Sequence, residues 1–157
     1  MKIKLLAIGK TNFDFLIQGE AEYDKRLKHY ISFETQYMVD IKQSKGLTET
    51  QLKAKEGGVF LKEIKSQDVV VLLDEKGKEY TSEEFAQFIE KQQLQSAKNL
   101  IFIIGGAYGF SEDLYARANV KLALSKMTFS HQMVRMIFKE QLYRAFTILK
   151  GEPYHHK

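Results

Sequence analysis

The chain has 157 residues, of which 44% are hydrophobic and 12% aromatic, so its length and composition suit one globular domain with a substantial core. It contains no cysteine, which excludes disulfides and thiolate metal sites and fits a reducing environment. It has no run of 18 apolar residues, and the apolar run at residues 5–8 is too short for a signal peptide. We therefore expect a cytoplasmic protein without a bound metal or a membrane span.

The net charge of +4 is unevenly distributed along the chain. Residues 1–114 carry 16 basic and 18 acidic side chains, a net charge of −2, whereas residues 115–157 carry 8 and 2, a net charge of +6. Two interpretations stay open for this basic segment. It is either the solvated face of a helix or an electrostatic footprint for a polyanion, with RNA as the leading candidate.

The first half of the chain alternates between strand and helix patterns. Residues 13–29 predict a helix with Phe15, Ile17, Ala21 and Leu27 facing inward. The Gly57-Gly58 pair interrupts a charged helical pattern further along. The predicted elements of this half are a buried strand at 2–8, the helix at 13–29, an edge strand at 34–41, a helix at 48–64 and a buried strand at 68–73.

The second half continues the alternation. Thr81 and Glu84 have the spacing of a capping box, and Ser111 precedes two acidic residues, as helix starts do. Ser130 is a candidate cap for the last helix, which Gly151 ends. The predicted elements are a turn at 74–80, a helix at 81–92, a strand at 100–104, a short helix after 111, a strand at 120–125, a loop at 126–130 and a helix at 131–150. This order predicts an α/β fold with a mostly parallel sheet flanked by helices.

A glycine loop follows the strand at 100–104, with Gly105, Gly106 and Gly109. Ligands of open α/β sheets bind outside the carboxyl ends of the strands, so the loop is a candidate binding site, although a tight turn alone would also use glycine. Its spacing fits neither the dinucleotide fingerprint nor a P-loop. Because no lysine or arginine lies between Gly105 and Asp113, a neutral or cationic ligand such as S-adenosylmethionine suits the loop better than a phosphate.

The last helix is amphipathic on a helical wheel. The wheel places Arg135 and Lys139 opposite the apolar face, so we expect both to be exposed and to bind RNA. His131 begins the helix and is a further candidate for RNA binding, although a packed structural role stays open. Arg144 follows Glu140 by one turn and forms either an ordinary ion pair or a phosphate contact.

The C-terminal tail is unusual because it carries aromatic and titratable side chains. The ring of Tyr154 is suited to stacking on a nucleobase. Histidine is the side chain best suited to exchanging protons near neutral pH, so His155 is a candidate proton carrier. The tail is therefore a candidate for chemistry rather than a fraying end.

Three stretches resemble a known family: IIGGAYGF, ANVKLALSKMTFSHQMVR and EQLYRAFTILKGEPYHHK. They are similar to the small SPOUT-class methyltransferases of the RlmH type, which methylate N3 of a pseudouridine in bacterial large-subunit (23S) ribosomal RNA. The resemblance covers essentially the whole chain. It implies a single SPOUT domain at 1–157, with a deep trefoil knot and the cofactor site within about 68–157, an exception to the rule that chains do not knot.

The resemblance also implies the site and its partners. It implies a homodimer that binds S-adenosylmethionine, releases S-adenosylhomocysteine and acts on 23S rRNA within the ribosome. One departure is Ser130, where the family often has proline, and both residues start helices well. The implied cofactor-binding residues are Leu73, Gly105, Gly106, Leu124, Ser125, Lys126, Met127, Thr128 and Phe129.

Methylation at N3 requires the imide proton of the target base to leave. We rank His155 first as its acceptor, with Tyr154 positioning the base and Arg144 holding phosphate or stabilising the developing anion. These three are the predicted catalytic residues. Two alternatives stay open: a non-enzymatic RNA- or ribosome-binding module, and a SPOUT methyltransferase that acts on tRNA.

Overall fold

The computed structural model describes residues 1–41 and 46–156. These residues contain one sheet of five strands in the order β2-β1-β4-β3-β5, and every neighbouring pair is parallel. The strands are β1 (Lys2–Ile8), β2 (Ser32–Met38), β3 (Val69–Glu79), β4 (Asn99–Ile104) and β5 (Val120–Ala123). The helices are α1 (Asp14–Leu27), α2 (Glu49–Lys62), α3 (Ser82–Leu94), α4 (Glu112–Arg117) and α5 (Met133–Leu149). The predicted parallel α/β fold is confirmed.

The sheet is the middle of three layers because alternate side chains of its strands point to opposite faces. On one face, Phe102 of β4 packs under α3 and α5, with its ring centroid 6.1 Å from that of Phe85 and 4.6 Å from that of Phe138. On the other face, Ile103 belongs to a cluster with Phe60 of α2. Burial on both faces explains why the central strands are continuous apolar runs.

The starts of α3 and α4 follow the local sequence signals, whereas α5 begins at Met133 with Gln132 as its N-cap rather than directly after Ser130. The Thr81 side chain accepts from the Glu84 amide while the Glu84 carboxylate accepts from the Thr81 amide, so the predicted capping box is confirmed. Ser111 caps α4 by accepting from the Leu114 amide. Such caps each contribute about 1 kcal/mol, and they set where a helix begins independently of the rest of the fold.

The inward face of α1 differs from the prediction. Leu27 is buried as expected, but Phe15 and Ile17 are 63% and 45% exposed. Ala21 is also exposed. The inward positions belong instead to Leu16 and Glu20, because the carboxylate of Glu20 has a cationic partner inside the fold.

Close approach of a neighbouring element explains two glycines that lie inside regular elements. The predicted turn at 74–80 is wrong, since β3 continues to Glu79 with an irregular register between Leu73 and Lys78. A Cβ on Gly77 would lie 2.6 Å from the carbonyl carbon of Lys121, so glycine is what lets β3 run beside β5 there. Gly57 sits inside α2 for a similar reason, because its Cβ would overlap the Ser111 hydroxyl.

Candidate active site

A cavity of about 470 Å³ opens at the carboxyl ends of β3 and β4, beside β5 and the start of α5. This is where parallel sheets bind ligands. Its walls are the end of the apolar part of β3, the glycine loop and the loop between β5 and α5. The lining includes Leu73, Gly105, Gly106, Leu124, Ser125, Met127, Thr128 and Phe129.

The structure thus gathers eight of the nine predicted cofactor-binding residues around one cavity. The ninth, Lys126, is not part of the lining: its side chain is 86% exposed and its ammonium lies 3.7 Å from the Glu79 carboxylate. The cofactor-binding role of the nine residues stays a prediction.

The three positions of the loop require glycine for two different reasons. Gly109 has a φ of +85°, and its amide donates to the Gly106 carbonyl at 3.2 Å, so it forms the tight turn. A Cβ on Gly105 would lie 3.0 Å from the Phe110 ring, and one on Gly106 would lie 2.6 Å from the Glu56 carboxylate. The first two glycines are therefore required for close packing, and turn geometry is the role of the third.

The charges on the rim fit a cationic ligand. Asp74, Glu75 and Lys76 line the cavity, and none of the lining residues is an arginine. The Tyr115 hydroxyl donates to Asp74 at 2.5 Å and the Thr128 hydroxyl donates to Glu75, which holds both carboxylates on the rim. Burial, together with the bond to Asp74, raises the pKa of Tyr115 to about 12, so this hydroxyl stays a donor.

The three predicted catalytic residues lie together at the other end of α5. Arg144 Nη2 and the Tyr154 hydroxyl both donate to Glu140 Oε1, at 2.5 Å and 2.9 Å, and Arg144 Nη1 lies 3.3 Å from His155 Nδ1. The guanidinium carbon of Arg144 is 4.8 Å from the centroid of the Tyr154 ring. Sequence reasoning did not connect Glu83 with this group, although its Oε1 lies 3.3 Å from His155 Nε2.

Tyr154 is held as a hydrogen-bond donor. Burial raises its pKa well above the ordinary value, and hydrogen bonds with Tyr23 and Glu140 raise it further. Its ring also contacts that of Tyr143 edge to face, at a centroid distance of 4.7 Å. Tyr154 and His155 are therefore packed on the protein, while His156 is exposed and Lys157 lies outside the described residues.

The tail and the cavity are separate within one chain. None of Arg144, Tyr154 and His155 lines the cavity. The cavity touches α5 at Val134, and Arg144 lies ten residues further along the helix, which corresponds to about 15 Å at 1.5 Å per residue. One chain therefore presents a cofactor-sized cavity at one place and the cluster of reactive side chains at another.

Comparison with known proteins identifies the family. The family described as "Predicted SPOUT methyltransferase" matches residues 1–155. The chain belongs to this family. Membership confirms the resemblance seen in the sequence and implies the C-terminal knot and a methyl-donor cofactor.

Two relatives match this SPOUT methyltransferase over their full length. Proteins from Christiangramia forsetii and Parabacteroides distasonis are 55% and 54% identical over 157 residues, which is 100% of each chain, and both are called Ribosomal RNA large subunit methyltransferase H. A solved structure of a probable methylase family protein from Haemophilus influenzae Rd KW20 has a TM-score of 0.51 at 14% identity, covering 99% of this chain and 70% of that one. This likeness supports the fold alone.

The prediction that Arg135 and Lys139 form an exposed basic face on α5 of this SPOUT methyltransferase is wrong, because both side chains are fully buried. Arg135 donates to the carbonyls of Ile8 and Gly9, each at 2.7 Å. Burial lowers the pKa of Arg135, and the charge of Glu20 opposes this shift. The wheel shows one helix only, whereas α1 and the end of β1 cover this side of α5.

Lys139 lies among acids rather than in solvent. Its ammonium is 3.1 Å from Glu20 and 2.9 Å from Asp24 on α1. Neither Lys139 nor Arg135 can reach an RNA phosphate without leaving these partners, so two charges of the basic segment are neutralised internally. His131 differs, since it is half-buried and lines the cavity, and its RNA-binding role stays a prediction.

We expect Lys139→Ala to destabilise the fold by roughly 3–5 kcal/mol, because it leaves the buried carboxylate of Glu20 without its cation. Urea unfolding measures this change. Lys150→Ala removes an exposed lysine at the end of the same helix and is expected to change stability by less than about 0.5 kcal/mol. Equal stability of the two variants would contradict the structural role of Lys139.

Membrane-spanning helices and metal-binding clusters are both absent from the part of the chain that the structure describes, residues 1–41 and 46–156. No helix in these ranges is long and apolar enough to cross a membrane. Among the same residues, no group of three or more histidine, aspartate or glutamate side chains is arranged to hold a metal ion.

Proposed function

We propose that the chain transfers a methyl group from S-adenosylmethionine to N3 of a pseudouridine in bacterial 23S ribosomal RNA. The observation that carries this proposal is the full-length match, at 55% identity, to a protein called Ribosomal RNA large subunit methyltransferase H. A ribosomal substrate makes the cytoplasm the place of action. The proposal treats residues 1–157 as one domain, with the knot and the cofactor site within about 68–157.

The cavity supports the cofactor assignment. S-adenosylmethionine would supply a methyl group on a sulfonium, whose departing thioether is neutral. Leu73, Gly105 and Gly106 would hold it together with the loop at 124–129, largely through backbone amides and carbonyls. The carboxylates of Asp74 and Glu75 on the rim outnumber the one lysine of the lining, Lys76, and favour the positive charge of the sulfonium.

The chemistry left to the protein is alignment and charge stabilisation. As N3 loses its proton, negative charge spreads to the ring carbonyl oxygens beside it, and hydrogen-bond donors at those oxygens stabilise it. Arg144 and Tyr154 are such donors, and the raised pKa of Tyr154 keeps its hydroxyl protonated. With His155 they form the proposed catalytic group.

A homodimer would unite the two halves of the site. The tail of one subunit lies about 15 Å along α5 from its own cavity, so a partner's tail would have to complete it. Exposed apolar side chains at the starts of α1 and α5 support such an interface: Phe13, Phe15, Ile17 and Met133 are 53%, 63%, 45% and 40% exposed. Large exposed apolar patches commonly mark interaction sites.

We expect Phe15→Glu to convert the protein to a monomer, because the interface would have to bury a charge. Methyl transfer should fall in proportion to the dimer fraction, which analytical ultracentrifugation measures. Leu94→Glu alters a side chain that is 79% exposed on α3 and serves as the matched control. A fully active monomer would refute the shared site.

The decisive experiment is transfer of a labelled methyl group to ribosomes from cells that lack this protein, followed by mass spectrometry of the modified nucleotide. We expect label in 3-methylpseudouridine of 23S RNA. Parallel reactions with free 23S RNA and with tRNA separate the possible substrates, and label in tRNA alone would replace the proposal with its alternative. Calorimetric titration with S-adenosylmethionine tests the remaining alternative, since a binding module would give no heat.

A further inference from the structure

Both ring nitrogens of His155 have partners in the folded chain. Nδ1 lies 3.3 Å from Arg144 Nη1, and Nε2 lies 3.3 Å from Glu83 Oε1. A guanidinium can only donate hydrogen bonds, so Nδ1 must accept, and an ionised carboxylate can only accept, so Nε2 must carry the proton. These partners assign a neutral imidazole with its hydrogen on Nε2.

We propose that Glu83 is a positioning residue which, with Arg144, fixes His155 as the neutral Nε2–H tautomer, so that His155 holds the tail and the substrate proton leaves to solvent water rather than to His155. The inference rests on the proposed function, because it assigns roles within the methyl-transfer reaction. It also replaces the ranking of His155 as the first candidate for proton acceptor.

The charges around the imidazole oppose a role as a base. A proton added at Nδ1 would point at the Arg144 guanidinium, break the existing hydrogen bond and bring two cations about 3–4 Å apart. Nε2 already carries a proton, so it has no lone pair to offer. Among the described residues, the charged groups in contact with the ring are Glu83 from α3 and Arg144 from α5, and Glu140 holds that arginine in place.

Glu83 is placed by the fold rather than by the tail. It lies in the first turn of α3, whose start is set by the capping box of Thr81 and Glu84. The Ser82 hydroxyl donates to Gln141 Oε1 at 3.4 Å and connects this turn to α5. A carboxylate on a rigid helix start therefore meets a tail that has no secondary structure of its own, which is how a supporting residue orients a reactive one.

Two substitutions separate positioning from charge stabilisation. Glu83→Ala removes the acceptor, and we expect kcat to fall about tenfold, the value of one well-placed hydrogen bond, with an unchanged Kd for S-adenosylmethionine. Glu83→Gln keeps an acceptor oxygen without the charge, and we expect kcat within about threefold of wild type. If His155 became an imidazolium during the reaction, it would need the negative charge, and Glu83→Gln would be as impaired as Glu83→Ala.

Equal losses of kcat in Glu83→Gln and Glu83→Ala would overturn the proposal, and so would full activity of Glu83→Ala. Glu90→Ala is the matched control, because it removes an exposed glutamate from the same helix. We expect this variant to retain the kcat of wild type. Thermal unfolding of all variants establishes that any loss of kcat occurs in folded protein.

Nitrogen NMR of the histidine rings tests the tautomer independently of activity. The signals of His155 are assigned by their absence in His155→Gln. We expect the Nε2–H pattern in wild type and in Glu83→Gln, and a mixture of tautomers in Glu83→Ala. A proton on Nδ1 in wild type would overturn the inference. The expected tautomer in a protein that methylates no RNA would instead overturn the proposed function, and with it the role of Glu83 in catalysis.

Discussion

Removal of residues 154–157 is expected to abolish methyl transfer while leaving the affinity for S-adenosylmethionine nearly unchanged. The truncation deletes Tyr154 and His155 and leaves Arg144 and Glu140 without their tail partners. The cavity keeps the lining that the structure describes, because none of residues 151–156 belongs to it. Labelled-methyl transfer to ribosomes measures the loss, and calorimetry measures the cofactor affinity.

His156→Ala is the control for the truncation. His156 is exposed next to His155, so its loss is expected to leave transfer intact. Tyr154→Phe refines the test, because it keeps the ring packed on Tyr143 and removes only the hydroxyl that donates to Glu140. Full activity of the truncated protein would refute the catalytic role of the tail.

Gly105→Val is expected to eliminate cofactor binding. A Cβ at this position lies 3.0 Å from the Phe110 ring and 3.3 Å from the Gly109 carbonyl oxygen, and valine adds two methyl groups beyond it. Either the loop shifts or the side chain fills the cavity. Overpacking costs of about 3 kcal/mol correspond to a loss of more than about 100-fold in affinity. Calorimetric titration with S-adenosylmethionine measures this loss.

Gly58→Ala is the matched control for this substitution. Its Cβ would meet nothing within 4 Å and it lies inside α2, so alanine is expected to stabilise the helix by roughly 0.5–1 kcal/mol. Cofactor affinity should be that of wild type. A folded Gly105→Val protein with unchanged affinity would exclude the glycine loop from the site.

Local signals in the sequence were sufficient for the elements that local chemistry controls. The apolar run of β1 and the capping box at Thr81 and Glu84 are found where they were predicted, because each depends on residues within a few positions. The segments around the cavity were predictable through the family resemblance, which covers the loops as well as the strands. The cavity itself required the sheet to bring these segments together.

Burial on the helices was not predictable from periodicity. The wheel of α5 separates apolar from charged residues, yet Arg135 is buried by backbone carbonyls more than 120 positions away. Phe15 is apolar but exposed, because the face of α1 that points inward carries the charged Glu20, which pairs with Lys139. Each outcome depends on which helix covers which face, and a single helix does not contain that information.

The sequence by itself determined the parallel α/β class, the starts of α3 and α4, the family, and the choice of Tyr154, His155 and Arg144 as candidate catalytic residues. Only the tertiary structure decided that Glu83, 72 positions before His155, meets its Nε2, and that the tail lies apart from the cavity of its own chain. The physical reason is the separation along the sequence over which each kind of interaction acts. Capping and strand formation depend on neighbours in sequence, whereas the partners of a buried charge or a packed tail depend on how distant elements are brought together.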